Sequence, residues 1–242
     1  MATVTEIAPD VYRISTFVTD YKLQFNQFLV RDDEPLLFHT GMKGMFTGVR
    51  DAVARITDPA TIRWISFSHF ESDECGSMNE WLQAAPRAQP LCTVVAALVN
   101  ISDFASRAPR WILKEDGLET GKYRFRLHPT HHLPHGWDAG MLFEETNGTL
   151  FCSDLFLHGG EVEPMTESDV VGRARKAMAD FQSTQLLNSY PYTATTERLM
   201  RGLADLEPKT LAIMHGSSFK GDGGKAIREL APIMKESFGR EE

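Results

Sequence analysis

Ser68-His69-Phe70-Glu71-Ser72-Asp73-Glu74-Cys75-Gly76 is the stretch on which the reading of this chain turns. It follows Ile62-Arg63-Trp64-Ile65-Ser66-Phe67, whose β-branched and aromatic residues predict a strand that ends inside the fold. If the backbone stays roughly extended from 69 to 73, alternation puts His69, Glu71 and Asp73 on one side, where three metal-ligand side chains can converge. Gly76 and the run Ser77-Met78-Asn79-Glu80-Trp81-Leu82 predict a helix starting just after the loop, capped by Ser77 with Glu80 three residues on. An acidic turn with one incidental histidine would look the same locally, so partners elsewhere in the chain must decide.

The rest of the composition narrows the field. At 242 residues and 42% hydrophobic content the chain has material for a substantial core and no linker, repeat or low-complexity tract, so a single domain over 1–242 is expected. A net charge of −8 offers no attraction to nucleic acid or to an anionic membrane surface. There is no charged-then-apolar N-terminal signal, and the longest apolar run, around Leu91 to Val99, is too short to span a bilayer. Cys75, Cys92 and Cys152 cannot all pair and lack zinc-knuckle spacing, which fits a reducing compartment and a cytoplasmic location.

Outward from the loop, strands are predicted at 10–18, 25–31, 35–40, 89–94, 119–129, 141–145, 149–152 and 210–214. Helices are predicted at 45–56, 95–104, 166–187, 195–206 and 224–238. Asn147-Gly148 marks a hairpin between the strands at 141–145 and 149–152. Four of the strands end in a ligand-type residue: His69, His135 in the loop after 119–129, Asp154 and His215. Strand ends gathered on one edge of a layered α/β fold would bring these together.

This order, with His69-x-Glu71-x-Asp73, resembles the metallo-β-lactamase superfamily, and within it the diiron branch of flavodiiron proteins and free-standing oxygen-binding diiron proteins. The resemblance implies an α/β, four-layer αββα sandwich with a binuclear site along one edge. It implies a first metal held by His69, Glu71 and His135, joined through a bridging Asp154 to a second held by Asp73 and His215. The hydrolases of that superfamily carry a histidine where this chain has Glu71, and a carboxylate there favours iron or manganese over zinc. Three carboxylates against two divalent ions leave one positive charge, which a bridging hydroxide or oxygen species would balance.

The chain departs from the pattern at Glu74, where the relatives place a further histidine ligand. Glu74 is read as pointing away from the metals, in an outer or structural position. His39 takes the place of a structural Asp and is read as lying outside the ligand set. His131 and His132 flank the site or face solvent, His128 and His158 are bystanders, and Tyr190, Tyr192 and Trp137 wall the site or pack in the core.

For function, the resemblance points to a diiron protein that binds dioxygen as a sensor or carrier, with a homodimeric state. No flavodoxin-like stretch follows, and Gly221-Asp222-Gly223-Gly224 lacks the context of a phosphate loop, so electrons for a reductase would come from a separate donor protein. The alternatives are such a partner-fed oxygen or nitric oxide reductase, and a metal-dependent hydrolase in which zinc replaces iron.

Overall fold

Apolar alternation in the first half of the chain builds a seven-stranded sheet in the computed structural model, which describes residues 2–113 and 116–239. Its strands are β1 (Thr3–Ala8), β2 (Val11–Val18), β3 (Leu23–Val30), β4 (Leu36–Phe38), β5 (Trp64–Ser66), β6 (Gln89–Cys92) and β7 (Arg110–Trp111), side by side in that order. β1 to β4 pair antiparallel and β4 to β7 parallel. The second sheet holds β8 (Leu118–Glu119), β9 (Arg124–Pro129), β10 (Gly140–Glu144), β11 (Thr149–Phe151), β12 (Met165–Thr166), β13 (Thr210–Ala212) and β14 (Ser218–Lys220). Their spatial order is β12-β14-β13-β11-β10-β9-β8, with β11 and β13 parallel.

Strand alternation explains why both sheets are covered twice. On β3 and β4, Phe28, Val30, Leu36 and Phe38 face the other sheet, while Leu29 and Leu37 face helices. Between the sheets Phe151 packs on Phe28 and Phe38, with ring centroids 5.6 and 5.0 Å apart. Outside the first sheet lie α1 (Phe46–Val53), α2 (Ser72–Cys75) and α3 (Met78–Ala84), then a helical stretch made of α4 (Val94–Ala96), a π-turn at Ala97–Ile101 and α5 (Ser102–Phe104). Outside the second lie α6 (Val170–Phe181), α7 (Thr196–Ala204) and α8 (Gly223–Phe238). Val49, Val53, Met78 and Trp81 seal the first outer layer, and Met178, Met200, Leu203, Ile227 and Leu230 the second. The result is the four-layer αββα sandwich. No helix among the described residues is long and apolar enough to cross a membrane.

Several boundaries differ from the sequence reading. The strand before the loop starts at Trp64, and the helix expected over 166–187 runs only Val170–Phe181, opened by Asp169, whose carboxylate accepts the Gly172 N–H at 2.9 Å. Ser77 precedes α3 without capping it, because its hydroxyl donates to the Thr40 carbonyl at 2.8 Å instead. The edge strands β1, β7 and β12, and β14 next to β12, went unread. They are short or polar, and their pairing rests on neighbours far away in sequence.

Phe151 is fully buried between the sheets. Phe151→Ala is expected to cost about 3–5 kcal/mol in denaturant unfolding, whereas Trp111→Ala, on a residue 55% exposed, should change stability by no more than about 0.5 kcal/mol.

Candidate metal centre

β5 carries the chain into Ser68-His69, but the loop does not stay extended as far as Asp73. Glu71 is extended at φ −132°, ψ 159°, and the chain then turns into α2, where Cys75 N donates to Glu71 O at 2.9 Å and Gly76 N to Ser72 O at 3.0 Å. His69 and Glu71 therefore point to one place and Asp73 to another. His69 Nε2 lies 3.6 Å from Glu71 Oε1, while Asp73 Oδ2 lies 3.2 Å from His215 Nε2.

The other predicted residues join these two groups. His135 Nε2 is 3.4 Å from the same Glu71 oxygen, and its ring meets that of His69 edge-on with centroids 4.3 Å apart. Asp154 lies between: Oδ2 is 3.8 Å from His69 Nε2 and 3.5 Å from His135 Nε2, and Oδ1 is 3.3 Å from His215 Nε2. The structure thus gathers His69, Glu71, His135, Asp154, Asp73 and His215 into two facing sets that share one carboxylate. His69 Nε2 and Asp154 Oδ1 are buried and make no hydrogen bond. Orphaned polar atoms facing each other across a gap are what a metal-ligand set leaves when only protein atoms are counted.

Local backbone devices hold each group. β13 ends at Ala212 and delivers His215, whose Nδ1 donates to the Gln24 carbonyl at 2.8 Å, leaving Nε2 to face the site. Ser153 adopts φ +52°, an uncommon conformation for a non-glycine residue, and turns the end of β11 so that Asp154 enters the gap. Tyr190, fully enclosed, donates its hydroxyl to the Asp154 carbonyl at 3.1 Å. The His135 loop is tied down by Asp138, whose Oδ2 accepts from Phe70 N and Asn100 Nδ2, both at 3.1 Å. Gly136 is at φ +80°, and a Cβ there would sit 3.2 Å from the His69 Cβ, so a side chain would crowd the site as well as strain the turn.

Glu74 stands on the Nδ1 side of His69, carried there by the α2 turn rather than by backbone alternation, and with His69 and Asp154 it forms a further group whose donor atoms lie close enough to share an ion. It is 1% exposed. Its carboxylate accepts from Ser68 N at 3.1 Å, His69 N at 2.7 Å and Ser153 Oγ at 2.9 Å, with the Ser68 hydroxyl 2.5 and 2.6 Å from its two oxygens. It also stands 3.3 Å from His69 Nδ1 and 3.5 Å from His39 Nε2. A buried carboxylate behind a ring nitrogen fixes the ring and raises the basicity of the nitrogen that faces the gap. Sequence reasoning expected an outer or structural Glu74 but missed its partners Ser68 and Ser153. The signal available was the serine directly before each of His69 and Asp154.

Charge shifts follow from this packing. Burial alone would push the His69 imidazole down, yet Glu74, Glu71 and Asp154 hold it up, at about 10 in the metal-free protein. Burial likewise opposes ionisation of Glu74, but His69, His39 and the hydrogen-bond donors around it keep it below the usual glutamate range. Burial raises Asp154, and the histidines around it only partly offset this. Glu71 is held well below its ordinary value by His135 and His69. His39 is pushed down by burial.

The remaining candidates separate clearly. His131 and His132 are exposed, as is Trp137, whose carbonyl contacts His131 Nδ1 at 2.6 Å. Tyr192 packs at the helix layer beyond the second sheet. His158 is more than a bystander, since its Nε2 accepts the Ser217 N–H at 2.9 Å and pins the chain just past His215. Over the gap opens a cavity of about 640 Å³ lined by Leu23, Phe25, Leu157, Phe181, Leu186 and Tyr190, with Lys22 and Asp180 also on its wall.

Residues 23–216 match the family model described as ODP family beta lactamase. The flavo-diiron protein FprA2 of Clostridium acetobutylicum is 22% identical over 145 residues, covering 58% of this chain and 36% of that protein. The putative diflavin flavoprotein A 3 of a Nostoc species is 29% identical over 140 residues, covering 54% of this chain and 23% of that protein. The matched segments are thus about a quarter to a third of those relatives' length. Among solved structures, rubredoxin oxygen:oxidoreductase from Desulfovibrio gigas superposes with a TM-score of 0.79 at 16% identity, over 95% of this chain and 61% of that one. The 1–254 fragment of the putative diflavin flavoprotein A 5 from Nostoc also gives 0.79, at 13% identity over 98% and 96%. At these identities the likeness is one of fold.

Two outcomes are expected of chelator-treated protein. Glu74→Ala should cost about 2–5 kcal/mol in chemical unfolding, since it leaves buried hydroxyl and N–H donors without an acceptor, and Glu74→Gln should cost less. His69 is raised in the folded state, so its contribution is complete below about pH 6.5 and disappears as pH climbs through about 10. Unfolding midpoints of the chelated protein should therefore fall across that window, and His69→Ala should flatten the fall.

Proposed function

The chain belongs to the ODP family of beta-lactamase-fold proteins, and on that premise we propose that its centre holds two irons and binds dioxygen, as a sensor or carrier. His69, Glu71 and His135 would hold one iron, Asp73 and His215 the other, and Asp154 would bridge them. The observation that carries this reading is the division of the Asp154 carboxylate, one oxygen toward His69 and His135 and the other toward His215. Three imidazoles and three carboxylates form a donor set with enough hard oxygen to suit iron over zinc. The relatives named for flavo-diiron chemistry support the same metal.

Iron, when bound, supplies electron density to dioxygen at a position left free by the protein ligands. The chain's own part is to orient the ligand side chains around that position. Glu74 and the Gln24 carbonyl orient His69 and His215 from behind, so that neither ring is free to rotate. Tyr190 fixes the backbone of Asp154 and closes the His135 side. Phe25 packs edge-on against the His215 ring at 4.9 Å and helps to fix its plane. Glu74 adds a fourth carboxylate, itself buried, so that four carboxylates and two divalent ions would sum to zero where a neutral histidine would leave the centre positive.

A second reading, an oxygen or nitric oxide reductase fed by a separate electron-donor protein, is favoured by the cavity. At about 640 Å³ it far exceeds the needs of a diatomic and leaves room for a larger redox group beside the centre. A homodimer in the cytoplasm fits either reading.

Protein from iron-replete cells is expected to contain two irons per chain by elemental analysis, and His69→Ala, His135→Ala or Asp154→Ala to lose at least one. Stoichiometric zinc with little iron would sink the diiron reading in favour of a hydrolase. Anaerobically reduced protein should take up dioxygen in proportion to its iron pairs and then stop. Continued uptake on addition of a reducing flavoprotein would select the reductase instead.

A further inference from the structure

The layer between the sheets is apolar over most of its length and turns polar at β1 to β3. Thr5 pairs across from Arg13 and Thr3 from Ser15, and on the next strand pair Phe17 faces Gln24. Directly opposite residues share a face, so these side chains lie together on the side that looks toward the second sheet. Arg13 is 1% exposed. Its Nη2 donates to Gln24 Oε1 at 3.0 Å and to the Gly216 carbonyl at 2.9 Å, both neutral acceptors. Nε is buried without a hydrogen bond, and so is the Ser15 hydroxyl two residues along the same face. Among the described residues no carboxylate pairs with this guanidinium. A buried cation with no counter-ion is one of the costlier arrangements a fold can hold, and burial pushes Arg13 down to about 10.

Arg13 and Ser15 line a cavity of about 550 Å³, together with Thr3, Thr5, Gln24 and the 161–164 loop. We propose that this cavity is a binding site for a small carboxylate ligand, with the Arg13 guanidinium as its counter-ion and the Ser15 hydroxyl as a second donor. The site is separate from the proposed iron centre and does not depend on it. Glu161, exposed on the same wall, disfavours multiply charged anions and selects a ligand with a single negative charge. The cavity is tied to the centre through Gln24, whose side chain accepts from Arg13 while its carbonyl holds His215 Nδ1, and through Gly216, next to His215.

The test is calorimetric titration of the iron-loaded protein with acetate, and with inorganic phosphate as the more highly charged comparator, in a low-chloride buffer without carboxylates. Saturable one-site binding of acetate, weaker binding of phosphate, and a melting temperature that rises with acetate are expected. Arg13→Gln should weaken acetate binding at least tenfold and Glu161→Gln should strengthen it severalfold. Ser15→Asp places a fixed carboxylate beside Arg13, so it should abolish binding and raise the melting temperature. That variant keeps the test decisive if Arg13→Gln fails to fold. Acetate bound equally well by Ser15→Asp would belong to the iron centre and overturn the proposal. Absence of binding in the wild type, or binding that appears only in Glu161→Gln, would overturn it too, the latter by making Glu161 the native counter-ion.

Discussion

A carboxylate buried where its two oxygens face different histidines is the constraint around which this protein is arranged. Asp154 is 4% exposed, and burial raises its pKa, so its ionised form needs positive charge on both sides. Everything near it serves that need or its geometry. Ser153 takes a strained backbone angle to aim it, Tyr190 holds its carbonyl, and His69, His135 and His215 close in from two strand ends and a loop. His69 Nε2 and Asp154 Oδ1 make no hydrogen bond, although each faces an oppositely charged group, Glu71 at 3.6 Å and His215 at 3.3 Å. Positive charge is what this cluster of carboxylates calls for, and without a metal the raised imidazoles of His69 and His215 supply it.

Behind the ligand-type residues lies a second tier that is as ordered as the first. Glu74 accepts from two main-chain amides and the Ser153 hydroxyl and stands behind His69 and beside His39. The α2 turn puts this anion on the far side of His69, at Nδ1 rather than at the Nε2 that faces the gap.

The polar end of the inter-sheet layer shows that the two sheets are joined by more than aromatic packing. Phe28, Phe38 and Phe151 fill the middle, while Arg13 and Asn26 donate to the carbonyls of Ile213 and Gly216 just beyond β13, and Gln24 donates to that of Val162. The bonds to Ile213 and Gly216 hold the segment that carries His215. The outermost pairing of the first sheet is therefore mechanically connected to the second half of the centre, although the two are far apart in the chain.

The sequence by itself determined most strands and the ligand-type positions, because these depend on local signals, and the sandwich followed from the family resemblance that they carried. Alternating apolar runs ended at His69, Asp154 and His215, and the His69-x-Glu71-x-Asp73 spacing carried the family resemblance. It did not determine how those residues divide. A single helical turn at Ser72–Cys75 sends Asp73 to His215 and Glu74 beneath His69, and four residues of backbone leave no periodic trace in a sequence. Nor did it show the edge strands β1 and β12, or that Arg13 is buried without a counter-ion. Whether an arginine is buried without a counter-ion depends on which residues the two sheets bring opposite one another, and only their packing decides that.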